Sequence, residues 1–230
     1  MSSLLSTPLF GVVLTFLVYR CSEMLYRRTR FILFNPVALS IVTIIFLLKS
    51  LQIPYQEYSR GGDMILFLLG PAVVALALPL YQRRQELFKR KRPILFGILA
   101  GAVTSIVTAA GTAWLLGGSR DVVLSMVPKS ATTPIAIGIV EQIGGIVPLT
   151  AALVVLTGCL GAICGPEFCR MIGIRSKVAM GLAVGTAAHG IGTARVLEED
   201  RFAGAVAGLA IGLNGLATSF IAPFLTLMFF

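Results

Sequence analysis

The chain alternates between long uncharged apolar runs and short charged segments. The runs without Asp, Glu, Lys or Arg cover residues 1–19, 31–48, 64–82, 93–119, 142–166, 178–194 and 202–230. Most of them reach the ~20 residues that an α-helix needs to cross a bilayer. The pattern therefore predicts an all-α polytopic membrane protein with about six full transmembrane helices and two re-entrant or broken helices.

Two apolar segments, 122–147 and 178–195, contain residues that interrupt a straight helix. The interruptions are Pro128, Pro134 and Gly144 in the first segment, and Gly185, Gly190 and Gly192 in the second. The apolar piece over 134–140 is too short to span a bilayer. We expect each segment to return to the side it came from, so that the two approach the bilayer centre from opposite faces. Eight complete crossings are the alternative.

The runs follow one another without a soluble insertion, which predicts a single integral membrane domain over 1–230. Its N-terminal helices are expected at 4–19, 32–48 and 64–81, followed by a core over 93–228. Glycine pairs spaced by four residues occur in two corresponding places: Gly97 with Gly101, and Gly181 with Gly185. They hint at an internal inverted repeat, which is common in secondary transporters.

Composition and charge exclude most other classes of protein. The chain is 57% hydrophobic and 13% charged with a mean hydropathy of +0.91, whereas soluble domains are roughly 25% charged. A soluble enzyme is therefore excluded. The net charge of +9 comes from 19 basic and 10 acidic residues. Because the basic residues cluster in short loops at 20–30, 83–92 and 170–177, we expect cytoplasmic loops and an outside N-terminus, and no nucleic-acid partner.

The sequence MVPKSATTPIA at 126–136 carries the first candidate site. Thr133 followed by Pro134 is typical of a helix start, and such a start points free amides and a positive dipole end at an anion. Lys129 needs a partner if it lies deep in a membrane, and a carboxylate would supply one. Hydroxyls follow it at Ser130, Thr132 and Thr133. The alternative is that Lys129 reaches the outer surface while the hydroxyls bind backbone.

The sequence GTAAHGIGTAR at 185–195 carries the second candidate site. His189 could donate to an anionic substrate or relay a proton, unless it is a neutral histidine bonded to a carbonyl. Arg195 suits a planar carboxylate, but it could also anchor the inner surface or pair with Glu198. Gly192 and Thr193 complete the predicted substrate-binding set.

Coupling and catalysis have less support. Glu141 and Glu198 are candidates for carrying a coupling proton, although a solvated structural glutamate is the alternative. Cotransport of a proton or a sodium ion has no motif behind it, and we expect no other cofactor. No metal site is expected, because the four cysteines lack zinc-site spacing. Catalytic motifs such as HExxH are missing, so we expect no enzyme; a Ser130 and His189 nucleophile and base pair is a remote alternative.

The chain resembles the LrgB/CidB family of bacterial inner-membrane proteins. The resemblance is carried by PKSATTPIA at 128–136, HGIGTAR at 189–195 and GPAVVALALPLY at 70–81, and it extends from Asn35 to Pro223. Three positions depart from the family pattern. Ala131 stands where the family usually has valine, Ala188 where it often has serine, and Pro148 comes one residue later than the proline of the family's GGIP.

The resemblance implies a multi-pass protein of the bacterial inner (plasma) membrane with a small hydrophobic LrgA/CidA-like partner. It implies one of two functions. The first is a secondary transporter of small monocarboxylates such as pyruvate, glycolate or glycerate, by likeness to the plastid glycolate/glycerate translocator. The second is an antiholin-like regulator of murein hydrolase export and cell lysis. Intramembrane cations and two broken helices favour the transporter. A homo-oligomer is compatible with either function.

Overall fold

The computed structural model describes residues 7–29, 34–68, 71, 74–75, 77–82 and 84–227, and these residues form helices joined by short turns without any strand. Within them, four helices are long and apolar enough to cross a membrane: Pro8–Thr29, Lys91–Leu115, Val147–Met171 and Arg201–Thr226. Shorter apolar helices lie between these spans. The predicted all-helical class with multiple membrane spans is confirmed. The chain divides into two compact units, Met1–Ala75 and Leu76–Phe230.

The first unit contains helices α1 (Pro8–Thr29), α2 (Pro36–Ser50) and α3 (Tyr55–Phe67). Helix α1 runs past the predicted end at residue 19, because Glu23 pairs with Arg20 and Arg27 on the same helix face. The second predicted helix, 32–48, is observed as α2. The third, 64–81, falls partly outside the described residues.

Close backbone contact joins α1 to α3 in this unit. A Cβ atom on Gly61 would lie 2.6 Å from the Cα of Gly11, so only glycine fits at this crossing. Small residues allow helix backbones to approach in this way. The hydroxyls of Thr15 and Tyr58, 3.0 Å apart, add a hydrogen bond beside the crossing.

The second unit contains the remaining helices. They are α4 (Ala77–Gln82), α5 (Arg84–Lys89), α6 (Lys91–Leu115), α7 (Arg120–Met126), α8 (Thr133–Ile143), α9 (Val147–Met171), α10 (Lys177–Glu199) and α11 (Arg201–Thr226). Helices α6, α9 and α11 are each about 37 Å long or more, at 1.5 Å per residue. The two segments that the sequence predicts to be broken lie between these long helices.

Helices α7 and α8 form a hairpin, called hairpin A, whose tip is the non-helical turn at 127–132. After α8 the chain comes back to the end of α7. The backbone N–H of Ile146 donates to Ser125 Oγ at 2.8 Å, and Thr150 Oγ1 donates to the Ser125 carbonyl at 3.1 Å. Helix α8 is about 16 Å long, which is much shorter than the apolar layer of a bilayer.

Helix α10 is also folded back on itself, and it is called hairpin B. Its backbone leaves the helical region at Ala188 and His189, where His189 has a φ of 39°. A straight helix would hold Lys177 and Asp200 about 35 Å apart, yet the two side chains form an ion pair. A Cβ on Gly192 would lie 3.0 Å from Cγ1 of Val184, eight residues earlier. The limbs 177–187 and 190–199 therefore lie side by side.

Asn214 of α11 holds the two hairpin tips together. Its Nδ2 donates to the Ser130 carbonyl of hairpin A at 3.1 Å and to the Thr186 carbonyl of hairpin B at 3.2 Å. This confirms the role expected for an asparagine within a membrane helix, hydrogen bonding between helices. Asn214 is buried near the middle of α11, so the tips meet halfway along a membrane-length helix.

Apolar side chains fill the space on either side of this meeting point. On one side, α6, hairpin A and α11 share a cluster that contains Ile106, Val123, Val127, Ile139 and Ala222. On the other side, α6, hairpin B and α11 share a cluster that contains Ile94, Ile98, Val178, Phe202 and Val206. Helices α6 and α11 thus pack against both hairpins.

Candidate functional site

A cavity of about 960 Å³ lies in the second unit between α6, the tip of hairpin A and the first limb of hairpin B. It follows α6 from Arg90 to Thr108, a length of about 27 Å. Among the described residues, its lining includes the basic residues Arg90 and Lys129 and no acidic residue. The cavity therefore offers an electrostatic environment suited to an anion.

Lys129 lies at the end of this cavity that is formed by the tip of hairpin A. Its Nζ donates to Ser130 Oγ at 3.1 Å and to Ser105 Oγ at 3.4 Å. The two serine hydroxyls are themselves 2.8 Å apart. Lys129 is half-buried and Ser130 is 5% exposed. Among the described residues no carboxylate pairs with Lys129, and the hydrogen-bond partners of its ammonium group there are the two neutral serine hydroxyls.

The break between α7 and α8 places Lys129 and Ser130 at this depth. Helix α8 begins at Thr133, one residue before the predicted start, with Thr132 in the N-cap position. The Thr132 hydroxyl makes no capping hydrogen bond, so the first amides of α8 have no side-chain partner from their cap. Thr132 and Thr133 are both half-buried. The positive dipole end of α8 lies four residues after Lys129 in the chain, and such a helix start favours an anion.

Helix α6 supplies a polar contribution that the sequence analysis missed. Ser105 bonds to Ser130 and Lys129, and the hydroxyls of Thr104 and Thr108 also line the cavity. The sequence feature that could have indicated Ser105 is a repeat of small residues at intervals of four, Gly97, Gly101 and Ser105, because residues at this spacing lie on one face of a helix. A Cβ on Gly101 would lie 2.8 Å from Cγ2 of Thr186. Gly101 therefore gives hairpin B room to approach α6.

His189 at the tip of hairpin B faces a different helix. Its Nε2 lies 2.9 Å from the carbonyl oxygen of Val154 in α9 and donates a hydrogen bond to it, so Nε2 carries a proton. The ring packs against Gly158 of α9. A Cβ atom at position 158 would lie 2.6 Å from Cε1 of His189, so the ring needs the glycine there. His189 is not part of the cavity lining and does not bond to Ser130. The bond to a carbonyl is the contact that the alternative stated above expects of His189.

Arg195 belongs to an ion-pair network at the base of hairpin B. It pairs with Glu167 at 3.2 Å and with Glu199 at 2.9 Å, and Arg170 pairs with the same two carboxylates. The sequence analysis named Glu198 as an alternative partner; the structure uses Glu199. Arg195 does not line the cavity, and its charge is compensated within the protein.

The remaining predicted residues lie away from Lys129. Gly192 and Thr193 are buried in the second limb of hairpin B, where Thr193 Oγ1 has no hydrogen-bond partner among the described residues. Glu141 on α8 and Glu198 on α10 are exposed, and neither lines the cavity. Within the described part of the chain, no group of three or more His, Cys, Asp or Glu residues is placed to hold a metal ion.

Asp200 connects the base of hairpin B to the start of α11. It accepts a hydrogen bond from Lys177, and its second oxygen caps α11 by accepting from the Ala203 N–H at 2.9 Å. The hydrogen bond from Lys177 holds the pKa of the Asp200 carboxyl below its usual value, and the cap acts in the same direction.

Comparison with known families agrees with the sequence motifs. The model of the LrgB-like family matches residues 15–228, nearly the whole chain, and the chain belongs to this family. The predicted resemblance is thereby confirmed. The family consists of membrane proteins that are not known as enzymes. No solved structure matches the chain.

Proposed function

We propose that this LrgB-like protein is a secondary transporter of small monocarboxylates, of the pyruvate, glycolate or glycerate class, across the inner membrane. The observation that carries the proposal is Lys129, an ammonium group with only neutral partners at the end of a cavity without acidic lining. A cation in the apolar layer is costly without a compensating charge. A bound carboxylate supplies that charge.

The proposed transporter has six full crossings and two re-entrant hairpins, with both termini outside. Helices α6, α9 and α11 cross the membrane, hairpin A enters from outside and hairpin B from the cytoplasm. The basic loops at 83–92 and 170–177 support this orientation. A long helix followed by a hairpin then occurs twice with opposite direction, α6 with hairpin A and α9 with hairpin B. That order is typical of inverted-repeat transporters.

In this arrangement the cavity opens to the cytoplasm and ends at the bilayer centre. Its wide end lies at Arg90 and Ser176, beside the basic loops, and its inner end lies at Lys129. On the outer side, the apolar cluster around Ile106 and Val127 closes the path. We therefore propose that this arrangement is the inward-facing state of the transport cycle.

The carboxylate is proposed to bind Lys129 together with the hydroxyls of Ser130 and Ser105. Thr132 and Thr133, at the start of α8, complete this anion site. The predicted residues of hairpin B, namely His189, Gly192, Thr193 and Arg195, take a supporting role and hold the second tip in place. A proton or a sodium ion as the coupling ion remains part of the proposal, with Glu141 and Glu198 as the candidate carriers.

The test is uptake of labelled pyruvate, glycolate and glycerate into proteoliposomes, with and without a small LrgA/CidA-like partner. A charge-assisted hydrogen bond contributes about 2–3 kcal/mol, so Lys129→Gln is expected to reduce uptake roughly 30- to 150-fold. Lys129→Arg keeps the charge and should retain part of the activity. Arg175→Gln removes an exposed positive charge that does not line the cavity, and it serves as the matched control.

Equal uptake by Lys129→Gln and the wild type would contradict the anion site. If no monocarboxylate is taken up by any form, while lysis phenotypes persist in cells that express Lys129→Gln, the antiholin-like regulator becomes the better description.

A further inference from the structure

A second cavity, of about 480 Å³, lies on another side of the second unit between α4, α5, α6 and α11. Most of its lining is apolar: Leu87, Phe88, Ile94, Leu95, Leu209 and Leu213. Tyr81, Arg84 and Lys91 supply the polar part. Ile94 is the one residue that this lining shares with the lining of the first cavity. The second cavity is therefore a separate feature of the fold.

The polar part of the cavity contains a pair of cations, Arg84 and Lys91. The Arg84 guanidinium lies 4.3 Å from the centre of the Tyr81 ring, and its Nη1 donates to the Tyr81 carbonyl at 3.1 Å. The Tyr81 ring and the Tyr81 carbonyl are both uncharged groups, so they orient Arg84 without neutralising its charge. Lys91 begins α6 beside it. Among the side chains that the structure describes, no carboxylate lines this cavity or pairs with either cation.

The apolar part extends inward from these cations. The starts of α6 and α11 lie at the same end of the unit, because Ile94 and Phe202 share one apolar cluster. Leu209 and Leu213 lie about 12 Å and 18 Å along α11 from Arg201, at 1.5 Å per residue. The cavity therefore combines a cationic rim at the end of the helices with an apolar groove that runs into their middle.

We propose that this cavity binds one anionic phospholipid from the cytoplasmic leaflet. The phosphate lies between Arg84 and Lys91, and one acyl chain follows Leu209 and Leu213. A soluble anion has no use for the apolar groove, and a zwitterionic lipid gains little from two uncompensated cations. Basic pockets between membrane helices on the cytoplasmic side are suited to anionic headgroups. This site does not depend on transport by the first cavity.

The experiment counts bound lipids on the full-length protein by native mass spectrometry after purification from mixed phosphatidylglycerol and phosphatidylcholine nanodiscs. Phosphatidylglycerol should be retained preferentially, at about one molecule per chain. Each cation near an anionic headgroup is worth about fivefold in affinity, so Arg84→Gln and Lys91→Gln should each reduce retention about fivefold. Lys89→Gln removes the same charge from the same loop outside the cavity, and it should leave retention unchanged.

A second variant tests the apolar groove. Leu209→Trp fills the groove without changing charge, and it should reduce retention of phosphatidylglycerol while monodispersity on size exclusion shows that the protein remains folded. Equal retention of the two lipids, or an equal loss in Lys89→Gln and Lys91→Gln, would overturn the proposal and indicate a diffuse surface attraction. Displacement of the lipid by millimolar inorganic phosphate would overturn it as well.

Discussion

Hairpins A and B are both short helical hairpins whose tips meet on Asn214, but their tips face different surroundings. The tip of hairpin A presents Lys129 to the large cavity, with two serine hydroxyls as its protein partners. The tip of hairpin B directs its histidine to a carbonyl of α9. One polar tip is therefore free to bind a solute, whereas the other is already hydrogen bonded within the protein.

The contacts that join the two hairpins to α9 differ in the same way. Neutral hydrogen bonds join Ser125 of hairpin A to Ile146 and Thr150 at the start of α9. Ion pairs close hairpin B: Lys177 with Asp200, and Arg195 with Glu167 and Glu199. We infer that hairpin B is fastened to α9 at both its tip and its base. The comparison teaches that two similar hairpins can differ in how far their polar groups are paired within the protein.

The largest effect is expected where both hairpins share one contact. Asn214→Leu removes both hydrogen bonds to the tips and leaves two buried carbonyls without this donor, at a cost of about 2 kcal/mol. Thermal unfolding in detergent and hydrogen exchange at the two tips measure it. Ser219→Ala, which removes a hydroxyl bonded only within α11, is the control and should change stability little. Unchanged exchange at both tips in Asn214→Leu would show that they do not depend on each other.

The second prediction tests whether the tip of hairpin B contributes to uptake as the tip of hairpin A is proposed to do. His189→Phe keeps a ring of similar size but loses the hydrogen bond to Val154, at a cost of about 1 kcal/mol in stability. Because the ring does not line the cavity, the KM for uptake should change less than about threefold, a difference of under 1 kcal/mol. Proteoliposome uptake and thermal unfolding together measure it. If His189→Phe loses uptake as Lys129→Gln is expected to, both tips bind the substrate and the contrast fails.

The third prediction concerns the base of hairpin B. Glu167→Gln removes a carboxylate shared by Arg170 and Arg195, and it should destabilise the protein by roughly 0.5–1 kcal/mol. The difference in stability between Glu167→Gln and the wild type should be smaller at high salt, because salt screens these ion pairs in the wild type and leaves less for the substitution to remove. Unfolding at low and high ionic strength measures it. Ser125→Ala in hairpin A is the comparison, and its effect should be independent of salt.

The smallest expected effect is a pH dependence. The folded-state pKa of Asp200 is lowered by Lys177. Its carboxylate therefore adds stability above its usual pKa of roughly 4, and this stability is lost as the pH falls through the lowered value. Asp200→Asn keeps an oxygen for the cap but loses the ion pair, which is worth less than about 1 kcal/mol. The difference in Tm from the wild type should be present at neutral pH and vanish toward pH ~3. A constant difference would exclude this ion pair as its cause.

Much of the fold follows from local sequence features. Helix-length apolar runs are sufficient to identify the spans, and prolines and glycines mark both broken segments. Pro128 and Pro134 bracket the turn of hairpin A, and Gly190 follows the bend of hairpin B. The exact bend was not predictable, because it falls on Ala188 and His189 rather than on a glycine. The neighbouring α9, through Val154 and Gly158, stabilises that bend from outside the segment.

The candidate site was predictable in part. Lys129 and Ser130 stand out because a cation and a hydroxyl interrupt an apolar run. Ser105 does not stand out in the sequence, because the hydroxyl of a single serine in a membrane helix can equally well donate a hydrogen bond to a backbone carbonyl of its own helix. Arg195 appeared as a candidate ligand, and only the packing of α9 against hairpin B shows that Glu167 and Glu199 compensate its charge.

The sequence by itself determined that this is a helical membrane protein, where its backbone is interrupted and which polar residues lie near the interruptions. These properties depend on hydropathy and on backbone propensity, which act over a few neighbouring residues. The tertiary structure alone decided that Lys129 meets Ser105, that His189 faces α9 and that Arg195 is neutralised. Each of these depends on which helices pack together, and therefore on contacts between residues far apart in the chain.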